Sequence, residues 1–331
     1  MKKALFILMI MILATATAVS AKEQNFTLKL QSYYGTNMLQ AEKAFAKAIE
    51  ENSKGTIKVE VFSGGELVPS SQILNAVKTG TIDLGRGMGH HFTESKIGSV
   101  ESGLPMAWTS AEDADAIYEK HGLRKIIAEE YGQLGVKYLG PVWAAPYHFL
   151  AKRPVNSLAV MRTMKVRAVG ASAKMLKKVG VNPVNVPVED IYLSLTTGQI
   201  DAVLYGSAFE YKETKFYEGA RFFNATPVLD PIVDTLVINQ KVWNDMSDNQ
   251  RAVVQAAADE LKWNYYKWIA GQDKATMNEL FKNTTTRFSD ADLKEMTRAA
   301  QDVWAEEAKK SDRNAQAIEI IKKAAAEAGR L

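Results

Sequence analysis

One arginine ends a short strand pattern in the middle of the chain. The segment Met164–Arg167 reads MKVR, and Arg167 is its last residue. A guanidinium binds a carboxylate or a phosphate through two parallel hydrogen bonds and does not lose its proton. Because ligands of open α/β sheets bind beyond the carboxyl ends of the strands, this position predicts an anion-binding side chain. A surface ion pair is the competing interpretation.

Aromatic residues occupy several loops that the strand pattern places at the same edge of the predicted sheets. They are Tyr33, Tyr34, Trp143, Tyr147, Tyr205 and Phe209. Aromatic walls with a few fixed polar groups suit a small organic ligand. Core packing is the alternative for each of them, and for Trp143 and Phe209 it is the favoured one. Glu66, which follows a Gly-Gly turn, is a further polar candidate, with a solvated loop carboxylate as its alternative.

The sequence lacks the residue spacings that would indicate dinucleotide binding, a metal site or a serine nucleophile. The segment Gly85–Gly89 reads GRGMG after a strand, but no helix with an acidic residue about 20 positions on completes a dinucleotide fingerprint. It is interpreted as backbone that lines the binding cleft. The four histidines form no HExxH or other metal-ligand pattern, and no GxSxG is present. We therefore expect no metal, no cofactor and no catalytic group.

Two similar α/β units must position these side chains. The first has strands at Asn25–Ser32, Thr56–Phe62 and Thr81–Gly85, with helical patterns between them, and Met164–Val203 repeats the order. At a fixed offset of 118 residues, Ile73/Ile191, Thr79/Thr197, Gly80/Gly198, Ile82/Ile200 and Asp83/Asp201 are identical. Strands that alternate with helices indicate sheets covered on both faces. Two such sheets would face each other across one cleft, with Arg167 on one side and the tyrosines that end Leu28–Tyr34 on the other.

The remaining patterns predict how the two lobes are joined. Val142–Lys152 is interpreted as a strand that crosses between lobes, Phe209–Phe223 as a helix and Leu236–Asn239 as a returning strand. Ser247–Lys282 is predicted to be one helix longer than a lobe. We expect lobe 1 to comprise residues 22–145 with about 236–275, and lobe 2 to comprise residues 146–235 with about 276–331.

The N-terminus predicts export. Lys2 and Lys3 precede the apolar run Ala4–Ala14, which is too short to span a bilayer, and a small-residue cleavage pattern ends at Ala21. We expect a signal peptide at residues 1–21, with a membrane anchor as the alternative. The chain has no cysteine, so it can carry neither a lipid-bearing cysteine nor a disulfide. A net charge of +3 gives no reason to expect nucleic-acid binding. The predicted location is the periplasm, and secretion from the cell is the alternative.

Several motifs, in order and at the right spacing, resemble those of the solute-binding component of tripartite ATP-independent periplasmic (TRAP) transporters. They are RPVNSL at Arg153–Leu158 with MKVR at Met164–Arg167, the segment Val181–Pro187 with Glu189–Asp201, and Gly55–Val61 with Gly64–Leu67 and Leu74–Asp83. The resemblance covers essentially all of the chain after the predicted signal peptide. It implies a two-lobed periplasmic binding protein fold of type II-like architecture, with a mixed sheet flanked by helices in each lobe and a long inter-lobe helix.

The resemblance also implies a function. The strand arginine of the family pairs with the ligand carboxylate, and Arg167 matches it. The lobes would close on a small organic acid, and the closed form would deliver it to integral membrane permease subunits driven by an ion gradient. We expect a monomer and no enzymatic activity. A binding protein that serves a sensor kinase or an ATP-driven importer, or less readily a periplasmic enzyme, remains the alternative.

Three departures from the family pattern bear on the ligand. Residues 160–163 read VMRT in place of Asp-Leu-Lys-Gly, and Asp201 is followed by AVLY in place of Gly-x-Glu-Asn. Val142–Leu150 lacks the second arginine that some dicarboxylate and sialic-acid binders have, and offers aromatic residues and a histidine instead. These differences predict a monocarboxylate, with a bulky apolar, aromatic or keto-acid tail, rather than a C4-dicarboxylate.

Overall fold

The structure, a computed structural model, describes residues 24–330. The predicted signal peptide at residues 1–21 lies outside the described residues. Within the described range, no helix combines the length and the hydropathy needed to cross a bilayer.

The described residues form eleven strands and thirteen α-helices. The strands are β1 (Phe26–Ser32), β2 (Ile57–Phe62), β3 (Leu84–Met88), β4 (Val136–Trp143), β5 (Tyr147–Ala151), β6 (Lys165–Arg167), β7 (Asn182–Val184), β8 (Ala202–Leu204), β9 (Phe222–Leu229), β10 (Val233–Asn239) and β11 (Thr285–Thr286). The helices are α1 (Gln40–Asn52), α2 (Ile73–Thr79), α3 (Gly98–Glu101), α4 (Ala111–Asp115), α5 (Leu123–Gln133), α6 (Leu158–Met161), α7 (Gly170–Lys178), α8 (Ile191–Thr197), α9 (Ala208–Glu213), α10 (Gln240–Asp245), α11 (Asp248–Thr276), α12 (Asp290–Ala308) and α13 (Asp312–Glu327).

The strands form two mixed sheets. The first sheet has the order β2-β1-β3-β10-β4, and the second has the order β11-β9-β5-β8-β6-β7. In each sheet three neighbouring strands pair in parallel, as the βαβαβ pattern predicts. The strands β10 and β5 add antiparallel pairs, and β11 pairs in parallel with β9 at the edge of the second sheet. The prediction of mixed sheets flanked by helices is confirmed. The residue boundaries of the two lobes stay a prediction.

Two sequence predictions of single elements were wrong. Val142–Lys152 is not one strand, because β4 ends at Trp143 in the first sheet and β5 begins at Tyr147 in the second. Pro146 lies in the gap, where a residue without an N–H cannot continue a hydrogen-bonded ladder. The helix predicted over Phe209–Phe223 ends at Glu213, and the chain then enters β9. The left-handed backbone of Lys215 helps to end it.

The long helix was predicted correctly. Ser247 caps α11, its side chain accepting a hydrogen bond from the N–H of Gln250, and a π-helical turn at Met277–Phe281 extends the helix. At about 1.5 Å per residue, the two segments together span about 50 Å. The helix packs on α1 and β4 beside the first sheet and on α9 beside the second. It therefore packs against elements beside both sheets.

The repeated sequence motif has the same structural role in both sheets. Gly80 and Gly198 end α2 and α8 in left-handed backbone conformations, with φ of 77° and 80°. The carboxylates of Asp83 and Asp201 each accept a hydrogen bond from the backbone N–H of a neighbouring strand, at 2.8 Å in both cases. The motif thus fixes each βα unit to the strand beside it and carries no ligand chemistry of its own.

Candidate functional site

A cavity of about 580 Å³ is lined by residues from both sheets. Five of the predicted site residues line it: Tyr33, Tyr34, Tyr147, Arg167 and Tyr205. Loops after β1, β3 and β4 contribute to its wall from the first sheet, and β5 and the ends of β6 and β8 contribute from the second. The carboxyl ends of the parallel strands therefore meet at this cavity, as open α/β sheets require of a ligand site.

Arg167 ends β6 and is only 5% exposed. Its Nε donates a hydrogen bond to the carbonyl oxygen of Val186 at 3.0 Å, and its Nη1 donates to that of Leu204 at 3.3 Å. No carboxylate of the described residues lies within 4.0 Å of it. Burial lowers the pKa of the Arg167 guanidinium, since desolvation disfavours the charged form. A guanidinium has five N–H donors, so three of them have no partner here and are available to an anion.

Strand register identifies the residue that corresponds to Arg167 in the first sheet. Arg167 pairs with Val203 of β8, and Gln31 pairs with Gly85 of β3. Gly85 and Val203 stand 118 residues apart, the offset of the repeated motif. Gln31 is therefore the structural counterpart of Arg167.

The two counterparts make the same backbone contact. Gln31 Nε2 donates to the carbonyl oxygen of Val68 at 2.6 Å, and Arg167 Nε donates to that of Val186, which again lies 118 residues further along the chain. Gln31 Oε1 also accepts from the N–H groups of Leu67 and Val68. Both polar atoms of the Gln31 amide are thus hydrogen-bonded within its own sheet, whereas the longer, charged guanidinium makes the same tether and still presents three N–H groups to the cavity.

A second arginine behind the cavity wall is fully paired. Arg86 is 0% exposed, and its guanidinium contacts Glu42 at 2.7 Å and Asp234 at 2.8 Å. Its Cζ atom lies 4.8 Å from the ring centroid of Tyr34 and 4.0 Å from that of Tyr265. The sequence interpretation took the GRGMG segment as backbone lining and did not foresee this cluster. With both carboxylates and both rings already engaged, Arg86 is a structural residue.

The cluster also holds part of the cavity wall. The hydroxyl of Tyr33 donates a hydrogen bond to Asp234 Oδ1 at 3.0 Å. Burial raises the pKa of Asp234 to about 6, and Arg86 and this hydroxyl oppose that rise. Tyr33 is therefore oriented by a buried carboxylate, and its ring faces the cavity in a fixed position.

Two predicted aromatic residues lie outside the cavity lining. Trp143 is fully buried and packs edge-on against Tyr118 and Trp263. Phe209 packs edge-on against Trp268 of the long helix. Both were weighed against core packing in the sequence, and the structure places them in packing positions.

Glu66 also lies away from the cavity. Its carboxylate accepts hydrogen bonds from the N–H and the hydroxyl of Ser63, at 2.9 Å and 2.8 Å. These bonds lower the pKa of the exposed Glu66 carboxyl. In this conformation the side chain closes its own turn.

Besides the exposed carboxylates of Glu189 and Glu213, three titratable residues that the sequence analysis did not single out line the cavity. Desolvation in the cavity and the neighbouring His91 lower the pKa of His90, and desolvation lowers the pKa of His91, so both imidazoles are neutral at pH 7. Glu210, in the first turn of α9, is the third. Burial raises the pKa of its carboxyl to about 8. The sequence did contain a signal for Glu210. Leu204–Ser207 is a loop after a strand that leads directly into a helix, so residues of the first helical turn could have been expected near the ligand site. Within residues 24–330, no three His, Cys, Asp or Glu side chains form a group that could hold a metal ion.

Comparisons with known proteins agree with this architecture. The family model described as bacterial extracellular solute-binding protein, family 7, matches residues 33–311. A monocarboxylate 2-oxoacid-binding periplasmic protein of Nostoc sp. is 25% identical over 223 residues, which cover 65% of this chain and 60% of that protein. The sialic acid-binding periplasmic protein of Vibrio cholerae is 24% identical over 313 residues, 90% of this chain and 92% of that protein.

Solved structures give the same result for the fold. The crystal structure of a TRAP periplasmic solute-binding protein from Chromohalobacter salexigens aligns with a TM-score of 0.81 at 23% identity, over 92% of this chain and 96% of that one. The family match covers most of the chain, and the two-lobed fold agrees with it. The chain therefore belongs to family 7 of the bacterial extracellular solute-binding proteins, the family of the TRAP periplasmic binding components.

Proposed function

We propose that this protein captures an organic acid by pairing its carboxylate with Arg167, and that it delivers the acid to the membrane permease of a TRAP transporter. The observation that carries the proposal is the state of Arg167. It is a buried cation at the cavity wall, two of its N–H groups are held by backbone carbonyl oxygens, and it has no carboxylate partner among the described residues. A buried charge without a counterion is costly, so an anionic ligand stabilises this site.

The energetics suit a small acid. A hydrogen bond to a charged group contributes about 1.5–3 kcal/mol net. Tyr33, Tyr34, Tyr147 and Tyr205 supply ring surface, and apolar burial adds about 25 cal/mol per Å². The cavity of about 580 Å³ is in the range of small-molecule sites.

A single carboxylate is the simplest match to the cationic groups of the cavity. Arg86 is paired with Glu42 and Asp234, so among the described residues Arg167 is the cation that the cavity lining presents to a ligand. The segment at β4 and β5 contributes Tyr147 to the cavity lining and contains no arginine. The Nostoc relative is named for monocarboxylate 2-oxoacids and the Vibrio relative for sialic acid, which is also an acid. These observations favour a monocarboxylate over a C4-dicarboxylate.

Closure of the lobes would bury the ligand. Asn37, after β1 of the first sheet, donates a hydrogen bond to Glu213 of α9, which follows β8 of the second sheet. Both residues line the cavity. A ligand that contacts both lobes stabilises the closed form over an open one, and the permease would distinguish the two by their shape.

The test of this function is carboxylate binding by Arg167 variants. We expect Arg167→Ala to weaken binding of the acid at least about 100-fold, because two charged hydrogen bonds are lost. Arg167→Lys should also weaken it, since the two-pronged geometry is gone. Arg162→Ala is the matched control, because Arg162 is a partly exposed arginine that pairs with Glu295 away from the cavity.

Titration calorimetry measures the affinities, and circular dichroism checks that each variant is folded. A thermal-shift screen of organic acids, with mass spectrometry of any co-purifying ligand, supplies the acid to be titrated, because bound ligand raises the melting temperature. Equal affinity for the wild type and Arg167→Ala would refute the carboxylate assignment. Uptake of that acid by vesicles that contain the permease subunits, dependent on an ion gradient, tests delivery.

A further inference from the structure

The cavity contains one carboxyl group that the proposed function does not use. Glu210 is half-buried, and its Oε2 accepts a hydrogen bond from the N–H of Ser207 at 2.9 Å. No lysine, arginine or histidine of the described residues lies within 4.0 Å of its carboxylate. Gly206 leaves the space for it, because a Cβ atom there would lie 2.3 Å from Glu210 Oε2. The second oxygen, Oε1, has no hydrogen-bond partner in the part of the chain that the structure describes.

Glu210 and Arg167 therefore share one cavity without neutralising each other. They form no ion pair, and Tyr147 and Tyr205 interact electrostatically with both of them. The other titratable groups of the lining differ in kind, because the imidazoles are neutral and the carboxylates of Glu189 and Glu213 are exposed. An unpaired cation and an unpaired carboxyl group on the wall of one enclosed site are complementary to a ligand with the opposite pair of charges.

We propose that Glu210 binds a positively charged nitrogen of the ligand, so that the ligand is an amino acid or a related aminocarboxylate whose carboxylate binds Arg167. This inference rests on the proposed function and narrows its ligand class. A cationic nitrogen supplies the counterion that Glu210 lacks, and the rings of Tyr147 and Tyr205, which line the same cavity, are favourable surfaces for the carbon atoms next to that nitrogen.

The charges around Glu210 agree with a cationic ligand group. Burial raises the pKa of Glu210, the N–H of Ser207 opposes the rise, and the carboxyl groups of Asp273 on α11 and Asp234 on β10 add to it. These two carboxyl groups disfavour a further negative charge at Glu210 and favour a cation beside it. A 2-oxoacid, by contrast, has no cationic group for Glu210, and its keto oxygen, next to the carboxylate, would lie beside Arg167.

Ligands that differ only in the nitrogen test the inference. Valerate, norvaline and δ-aminovalerate share one carbon chain, and hydrocinnamate and phenylalanine form a matched aromatic pair. We expect at least one amino compound to bind the wild type at least about tenfold more tightly than its parent acid, in line with one additional charged hydrogen bond. In Glu210→Gln this ratio should fall close to one. Glu218→Gln, an exposed carboxylate that bonds to Tyr192, is the control and should keep the wild-type ratio.

The wild type alone gives a second, independent readout. A cationic nitrogen prefers the ionised carboxylate, and the pKa of Glu210 is about 8. The ionised fraction rises as the pH rises through that value, so the affinity for the amino compound should increase by up to about tenfold between about pH 7 and about pH 9, with proton release on binding. A neutral Glu210 that donates its proton to a ligand oxygen predicts the opposite slope.

The outcomes separate the inference from the function on which it rests. If the parent acids bind as tightly as the amino compounds, or if the affinity falls with rising pH, the inference is overturned while carboxylate binding by Arg167 stands. An unchanged amino-to-parent ratio in Glu210→Gln also overturns it. If Arg167→Ala binds every compound as tightly as the wild type does, both the proposed function and this inference are refuted.

Discussion

Replacing Arg86 with methionine should cause a large loss of stability. The guanidinium is 0% exposed, as are the side chains of its partners Glu42 and Asp234. Methionine fills similar apolar volume but leaves two buried carboxyl groups without their counterion. Breaking a buried ion pair by removing one partner costs about 3–5 kcal/mol, because the remaining charge stays desolvated. We expect a decrease of that size in the free energy of unfolding for Arg86→Met.

The matched control is Arg124→Met. Arg124 pairs with Glu119 at 3.0 Å and with Asp259 at 3.3 Å, but its side chain is 26% exposed and that of Asp259 is 51% exposed. Solvent screens such a pair, so its loss should cost less than about 1 kcal/mol. Arg124 also donates to the carbonyl oxygen of Leu139, which keeps a bond from Gln255 in the variant, so burial of the ion pair is the main difference between the two arginines.

Urea unfolding followed by tryptophan fluorescence measures both variants. The slope against urea should stay the same, so that the midpoint reports stability. Raising the pH should enlarge the loss for Arg86→Met, since Arg86 opposes the rise in the pKa of Asp234 and the variant lacks this cation. A loss below about 1 kcal/mol for Arg86→Met, equal to that of the control, would refute the claim that this cluster stabilises the first sheet.

Two further predictions concern pH and closure. Burial raises the pKa of Glu101 from 4.5 to about 7, so the native state holds this proton more tightly than the unfolded state. The free energy of unfolding should therefore fall by up to about 3 kcal/mol as the pH rises from about 4.5 to about 7. Glu101→Gln should remove most of this slope in urea titrations at a series of pH values, and a slope that is unchanged would contradict the assignment. Asn37→Ala removes the hydrogen bond to Glu213 across the cavity, so the ligand-free protein should show a larger radius of gyration by small-angle X-ray scattering. An unchanged radius would show that this contact does not hold the lobes together.

Hydrophobic periodicity, together with the residues that begin or end helices and strands, was sufficient to predict the elements that carry the site. The strand that ends at Arg167, the capped helix that begins after Ser247 and the duplicated βα units all follow from local sequence signals. The connection at Val142–Lys152 did not, because its apolar residues continue through Pro146 with no change in composition. Which sheet a buried strand joins depends on distant partners that a local pattern does not contain.

The candidate site was predictable in part for a similar reason. Tyrosines in loops after strands were found from their position, but Trp143 and Phe209 are also aromatic and pack against other aromatic side chains outside the cavity lining. Arg86 and Arg167 both follow glycine- or apolar-rich strand patterns, and only the structure shows that one has two carboxylates within reach. Whether an arginine is paired is a property of three elements at once, so it has no signature in any one segment.

The comparison of Gln31 with Arg167 explains how one sheet of a duplicated pair acquires the chemistry. The repeated motif gives an offset of 118 residues, but Gln31 and Arg167 stand 136 residues apart, because the first unit has 18 more residues between its first strand and the motif. The offset therefore conceals that they are equivalent, and strand register reveals it. Both side chains tether a loop carbonyl at the same position, so the structural requirement there is one N–H donor. An amide meets that requirement with one of its two donors and carries no charge, whereas a guanidinium meets it with one of five donors and is charged. The cavity gains a cation at a position that the fold already needed to fill with a polar side chain.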